Sequence, residues 1–176
     1  MVHLYSDCLP WRAVALGAFL ALAAGVTGGT AHAEDFETTL SAADRSGVPE
    51  GQESGTWMEA TGTASAAASS DQHEVTLEAT GLVPGGLYTI WWVNSGTFGM
   101  DMGPAGGTPA NEFRAGDDGG AETTITVPAD NDYQMFVVAY HADDRTHGDM
   151  PGEMGEVTFE QLMGPWPGPA GQMADM

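Results

Sequence analysis

The residues best suited to chemistry lie in two separate stretches of the chain. His141 and His147 bracket a polar run that includes Asp144, and Met100 and Met102 lie in a Gly-rich stretch further upstream. Imidazole nitrogen suits copper, zinc and nickel, and thioether sulfur suits Cu(I). If the fold brings the two stretches together at one end, these side chains form a candidate transition-metal site, with copper as the favoured ion.

The same side chains also have a purely structural interpretation. His141 follows an apolar run and can end a strand, His147 can cap a turn, and the nearby aspartates can form a solvated loop. The His-x-His pair on which copper/zinc superoxide dismutase and chordin-type sandwiches rely is absent from the sequence. The sequence therefore requires no cofactor and leaves copper binding as the alternative to a structural role.

Catalysis finds little support in the sequence. There is no G-x-S-x-G motif, no lysine for Schiff-base or phosphate chemistry, and a single cysteine, Cys8. Carboxylate pairs abound in so acidic a chain and carry no information by themselves. We therefore predict that the protein is not an enzyme.

The charge balance argues against two classes of partner. The 176 residues include 25 acidic side chains against 4 arginines, which gives a formal net charge of -21. Binding to nucleic acid or to an anionic membrane surface requires cationic side chains, so neither is an expected partner. A lysine-free acidic composition is what a high-salt habitat favours, because salt screens the repulsion among carboxylates.

Residues 1–33 have the parts of a secretory signal peptide. Arg12 precedes the apolar run 13–26, and Ala31-His32-Ala33 has the small-x-small pattern of a cleavage site. The apolar run has 14 residues, fewer than the ~20 that a membrane-spanning helix needs. We therefore predict export to the periplasm, the cell surface or the extracellular space, with Cys8 removed from the mature chain.

Two apolar segments are predicted to lie at the centre of a β structure. Residues 87–93 and 133–141 are apolar or aromatic at almost every position, which is typical of strands covered on both faces. Trp91 and Trp92 should then pack on opposite faces of their strand, and core packing is favoured over a sugar-stacking platform. Further short strands are predicted at 36–40, 55–61, 73–80, 111–115, 122–128 and 156–162, and loops at 63–70 and 95–110.

This pattern predicts an all-β fold, an antiparallel two-sheet Greek-key sandwich of about seven strands that is immunoglobulin- or fibronectin-like. Leu82-x-Pro84-Gly85-x-x-Tyr88 resembles the corner of fibronectin-type sandwiches, which implies that the Tyr88 hydroxyl bonds to the backbone across the corner. The sandwich is assigned to residues 55–162. A partly disordered segment at 34–54 precedes it, and a flexible Gly/Pro/Met tail at 163–176 follows.

Residues 75–162 resemble a group of uncharacterised exported bacterial proteins. The likeness rests on the strand Tyr88-Thr89-Ile90-Trp91-Trp92-Val93, on the pair His147-Gly148 and on a closing strand at Val157–Phe159. That group has a Y-T-L-W-W-V strand and commonly carries cysteines in the following loop, which this chain lacks. The resemblance implies an exported β-sandwich and no particular activity.

These features predict a non-catalytic module that binds an unknown extracytoplasmic protein or ligand, or mediates interactions at the cell surface. The alternative is an extracytoplasmic copper-binding protein that uses the His/Met/Asp set. Metal content and metal affinity of the mature protein separate the two hypotheses.

Overall fold

The computed structural model describes residues 35–69, 71–96 and 99–166, and of residues 95, 96, 99 and 100 it describes the backbone alone. The predicted signal peptide at 1–33 and residues 167–176 of the predicted tail lie outside the described residues. The described part of the chain forms nine strands and one short helix. In chain order these are β1 (Phe36–Ala42), α1 (Ser54–Trp57), β2 (Thr61–Ala68), β3 (Gln72–Thr80), β4 (Leu87–Gly96), β5 (Gly99–Pro104), β6 (Glu112–Arg114), β7 (Ala121–Pro128), β8 (Met135–His141) and β9 (Thr158–Pro165).

All neighbouring strands among the described residues pair antiparallel, which confirms the predicted all-β antiparallel class. Their order across the sheet is β5-β4-β8-β9-β1-β2-β3-β7, and β6 also pairs with β4. The strands form one continuous sheet that curls into a half-barrel, rather than two separate sheets of about seven strands in total.

The continuity of the sheet depends on β1. Six residue pairs join β1 to β2, whereas two pairs, Ser41 with Met163 and Ala42 with Leu162, join β1 to β9. Because β1 bonds on both sides, it links β5-β4-β8-β9 to β2-β3-β7. Among the described residues the sheet therefore runs from Phe36 to Pro165, beyond the predicted sandwich boundaries at 55 and 162.

One face of the curled sheet encloses the main core. Strands from both halves contribute to it, because alternate side chains of a strand point to the same face. Its buried members include Leu40, Val75, Leu77, Ile90, Ile125, Phe136, Val138 and Leu162. The loop after β5 packs against β7 at Gly106, where an added Cβ would lie 3.2 Å from the Cβ of Ile125. Gly106 also has φ +81, a conformation that favours glycine.

The predicted tyrosine corner is confirmed. The backbone N–H of Val83 donates to the Tyr88 hydroxyl at 2.8 Å, across the turn that precedes β4. The same hydroxyl donates to Gln161 Oε1 of β9 at 2.5 Å. Burial raises the pKa of Tyr88 far above its ordinary value, so this hydroxyl stays protonated and keeps both bonds. The corner therefore connects the start of β4 to a second strand of the sheet.

The two central strands are also confirmed, since β4 and β8 pair along their length and are buried on both faces. Trp92 lies in the main core, where its ring is 5.5 Å from that of Trp166. Trp91 lies on the opposite face in a second buried cluster with Val93, Val137 and Ala139. Both indoles therefore serve packing, as predicted.

Two predicted elements before β3 are wrong. The segment predicted as a strand at 55–61 contains α1, and Trp57 is buried with its indole N–H donating to the carbonyl of Ala43 at 2.7 Å. The predicted loop at 63–70 is occupied by β2, in which Ala64 and Ala66 are buried. α1 has only four residues, and no helix in the described part of the chain is long and apolar enough to cross a membrane.

The predicted long loop at 95–110 is shorter in the structure. β4 continues to Gly96, and β5 follows from Gly99 to Pro104, paired back onto β4. After β9, at the end of the described residues, Trp166 is buried against Phe36 and Phe136. Residues 163–166 of the predicted flexible tail therefore belong to the sheet and its core.

We expect Tyr88→Phe to destabilise the protein by about 1–3 kcal/mol, because the partly buried N–H of Val83 and the buried amide oxygen of Gln161 would each lose a partner. Urea unfolding at neutral pH measures the change. The matched control is Tyr140→Phe, which removes a hydroxyl from a neighbouring ring that is only partly buried and should cost much less. Equal effects of the two substitutions would show that the corner bonds contribute nothing specific.

Candidate functional site

The strand order separates the two stretches that were predicted to share one end. His141 lies opposite the first residue of β4, whereas Met102 of β5 lies opposite Val93, six residues along the same strand. At ~3.3 Å per residue this separation is ~20 Å, and the backbone of Met100 lies further away still. Antiparallel neighbours leave a sheet at opposite ends, so Met100 and Met102 do not join the histidines, which corrects the predicted site.

Met102 instead belongs to the outer face of the sheet. It packs against the second buried cluster, which contains Trp91 and Val93, and two other partly buried methionines, Met135 and Met163, pack against the same cluster. Register places these methionines on three different strands around one apolar patch. Met102 therefore serves as a packing residue on the outer face.

His141 and His147 do come together, and the structure adds Asp143 to them. One ligand atom from each of these three residues lies within 4.8 Å of the other two. An ion placed between three such atoms would lie no more than about 2.8 Å from each, somewhat beyond the ~2.1 Å of zinc–nitrogen bonds. Small side-chain movements therefore suffice to bring all three into coordination distance.

The turn after β8 decides which aspartate faces the histidines. Asp144 has φ +57, a left-handed conformation that aspartate tolerates better than most residues. Its carboxylate turns away and pairs with Arg114 at 2.8 Å. Asp143 is the less exposed of the two, and its Oδ2 lies 3.3 Å from Nε2 of His147. The carboxylate that lies beside the histidines is therefore that of Asp143, whereas the predicted Asp144 faces Arg114.

His141 is buried on the outer face of β8 and bonds through both ring nitrogens. Its Nε2 lies 2.7 Å from the hydroxyl of Thr89, which accepts a hydrogen bond from the indole N–H of Trp91 at 2.7 Å. Its Nδ1 lies 3.3 Å from the hydroxyl of Thr158, which donates to the carbonyl of Pro151. The five groups form one continuous chain of hydrogen bonds.

The direction of each bond in this chain follows from its ends. Because the Thr158 hydroxyl donates to a carbonyl, it must accept the hydrogen of Nδ1. The indole of Trp91 can only donate, so the Thr89 hydroxyl is free to donate to Nε2. Every donor then has an acceptor when His141 is neutral with its proton on Nδ1. A second proton on Nε2 would face the hydrogen of Thr89.

The electrostatic environment of the site also favours the neutral form of His141. Burial, and to a smaller extent the nearby His147, lower the pKa of His141 below its ordinary value, while Asp143 and Glu112 oppose the change in part. The imidazoles of His141 and His147 lie 5.9 Å apart between ring centroids. A neutral imidazole is the form that binds metal ions, and both the hydrogen-bond pattern and the lowered pKa favour that form for His141.

The loop between β8 and β9 is held close to the histidines. An added Cβ on Gly152 would lie 2.7 Å from Cδ2 and 3.0 Å from Nε2 of His147, and 3.0 Å from the Thr158 hydroxyl. The Thr108 hydroxyl donates to Asp149 at 2.9 Å and ties this loop to the one after β5. Gly152 therefore lets the backbone pass directly against the imidazole of His147.

Comparison with known protein families, curated proteins and solved structures finds no match for this chain. The site must therefore be judged on its own geometry. The predicted likeness to a group of exported β-sandwich proteins stays a prediction.

Sequence reasoning identified both histidines and missed three of their neighbours. Thr89 and Thr158 become partners of His141 only through the register of β4 and β9 with β8. Alternation already places Thr89 and Trp91 on one face of their strand, which is the one signal that was present. Asp143 depends on the left-handed turn at Asp144, for which the sequence gives no signal beyond a pair of aspartates.

We expect the stability of the protein to fall as the pH drops through about 6.5, the pKa of an unfolded histidine. Because folding lowers the pKa of His141, the unfolded state takes up a proton at a higher pH than the folded state does. Protonation then stabilises the unfolded state relative to the folded state. Urea unfolding between pH 8 and pH 5.5 should show this slope, and His141→Gln should flatten it.

The more exposed histidine provides the control, and His147→Gln should leave most of the slope in place. An unchanged slope in His141→Gln would mean that other groups set the pH dependence in this range.

Proposed function

We propose that this protein is an exported, non-catalytic binding protein that holds a divalent transition-metal ion with His147, Asp143 and His141. The convergence of two imidazoles and one carboxylate within 4.8 Å supports the proposal. Imidazole and carboxylate are donors for zinc, Cu(II) and Ni(II), and three protein ligands leave further positions for water or another ligand.

The three ligands differ in how easily they reach an ion. His147 and Asp143 are partly exposed and lie 3.3 Å apart, so they can bind first. His141 is buried and must exchange one of its two threonine bonds for the metal. The remaining threonine bond would then orient the ring, as hydrogen bonds to metal-bound histidines commonly do.

The net charge supports the proposal, and the cation that pairs with Asp143 is free to move away. The net charge of -21 raises the concentration of cations around the whole molecule. Asp143 is also held by Arg145, whose guanidinium lies 3.5 Å from its Oδ2. The Arg145 side chain is 76% exposed, so it can move into solvent when an ion takes its place.

For the fold and the location we retain the finer predictions as part of this proposal. The Tyr88 corner and a core shared by both halves of the sheet support an immunoglobulin- or fibronectin-like sandwich whose halves are joined through β1. The apolar run at 13–26 and the Ala31-His32-Ala33 pattern support export.

A cell-surface interaction module is the second candidate. It is favoured by the outer face of β1, β2, β3 and β7, which carries Thr, Ser and Glu side chains and no Arg or Lys among the described residues of those strands. A partner for this face would be neutral and rich in hydrogen-bond donors, or cationic. Capture of such a partner by a protein that binds no metal would favour this candidate.

We expect the mature protein to bind one Zn²⁺ per chain in calorimetric titration at pH 7.5, and His147→Ala to weaken binding by at least about tenfold, or about 1.4 kcal/mol. Asp143→Asn should also weaken binding, because it removes an anionic ligand. Binding should weaken again at pH 5.5, where protons compete for the imidazoles.

Asp144→Asn is the matched control, since it removes the adjacent carboxylate, which pairs with Arg114. It should leave zinc affinity within about twofold. Absence of zinc and copper binding in the wild-type protein, or equal losses in Asp143→Asn and Asp144→Asn, would contradict the proposed site.

A further inference from the structure

The large apolar side chains that lie exposed in the described part of the chain are all methionines. Met150 is 67% exposed, Met58 is 44% exposed and Met154 is 39% exposed. Met150 and Met154 both lie in the loop that follows His147, between β8 and β9, whereas Met58 follows α1. The loop beside the histidines therefore presents two thioethers to solvent.

Gly152 lies between these methionines in the sequence and next to the histidine site in space. Its backbone lies against Nε2 of His147 and against the Thr158 hydroxyl that bonds His141. Met150 and Met154 are each two residues from Gly152, so their Cα atoms lie within ~7 Å of it at ~3.6 Å per residue. Methionine is unbranched with three rotatable bonds, so each sulfur can take several positions around this loop.

Backbone pairing places Met154 next to Thr158, the residue that bonds the buried histidine. Met154 forms an isolated bridge with Thr158, and Thr158 lies opposite His141 in the β8–β9 pairing. Met154 and His141 therefore flank Thr158 on opposite sides, and Met150 lies between His147 and Gly152 along the chain. Both thioethers are uncharged donors, and neither is engaged in the buried core.

We propose that Met150 and Met154 join His147 in a second coordination mode of the same site, one that selects soft monovalent ions of the Cu(I) class. This inference rests on the proposed metal-binding function. Thioether sulfur is a soft ligand that suits Cu(I), whereas zinc in proteins is bound mainly by thiolate, imidazole and carboxylate. The site then takes zinc or Cu(II) through Asp143 and the histidines, and a soft ion through His147 and the methionines.

The test compares Ag⁺, a redox-inert probe of the Cu(I) class, with Zn²⁺ on the full mature chain in chloride-free buffer. The double substitution Met150→Leu/Met154→Leu should weaken Ag⁺ binding by at least about tenfold and leave Zn²⁺ affinity within about twofold. Leucine keeps the apolar volume, so the fold should be retained, and far-UV circular dichroism checks it. Met58→Leu is the matched control and should leave both affinities unchanged.

The outcomes separate this inference from the function on which it rests. If the wild-type protein binds Zn²⁺ and the double variant keeps wild-type Ag⁺ affinity, the methionines are not ligands and only this inference fails. If Met58→Leu weakens Ag⁺ binding as much as the double variant, the effect is a general property of exposed thioethers, and the inference fails as well. If the wild-type protein binds none of Zn²⁺, Cu²⁺ and Ag⁺, the proposed function fails and the inference with it.

Discussion

The antiparallel pairing of β4 with β8 determines both the core and the site. Seven residue pairs run from Leu87–His141 to Val93–Met135, and the side chains are buried on both faces of this ribbon. A shift of register by one residue would exchange the faces, moving Trp92 out of the main core and separating His141 from Thr89. Apolar burial at ~25 cal/mol per Å² holds the register, and the hydrogen bonds of His141 follow from it. The geometry of the site is thus a consequence of the packing of the two most hydrophobic segments.

His141 shows how a polar side chain is accommodated on a face that is otherwise apolar. Two threonines, one indole and one carbonyl provide a partner for each of its ring nitrogens, so that burial of the neutral ring leaves no hydrogen bond unmade. Removing one partner from such a chain costs about 1–3 kcal/mol. This histidine therefore has a structural role that does not depend on a ligand. In the proposed metal site the roles would divide accordingly: His147 and Asp143 are partly exposed and would meet the ion first, and His141 would provide a fixed ring.

The sequence contained most of the information on individual strands and little on how they are arranged. Alternation located β3 and β7, apolar runs located β4 and β8, and the Pro84-Gly85 turn with Tyr88 predicted a corner that the structure confirms. β2 was missed because an alanine-rich segment has neither alternation of large side chains nor high strand propensity, and it is ordered by pairing with β1 and β3.

The composition of the site could be predicted only in part, for related reasons. Both histidines were recognised because imidazole is rare in this chain. Whether two loops share an end of the sheet depends on the direction of the strands that precede them. Apolar content is the same for parallel and antiparallel neighbours and does not reveal that direction. Met100 and Met102 were therefore predicted at the wrong end of the sheet. The two arginines beside the histidines were also not anticipated, although Arg114 pairs with Asp144 and Arg145 with Asp143. Ca²⁺ takes oxygen ligands, whereas imidazole is a donor for zinc, Cu(II) and Ni(II), so the two histidines would favour a transition metal in the proposed site.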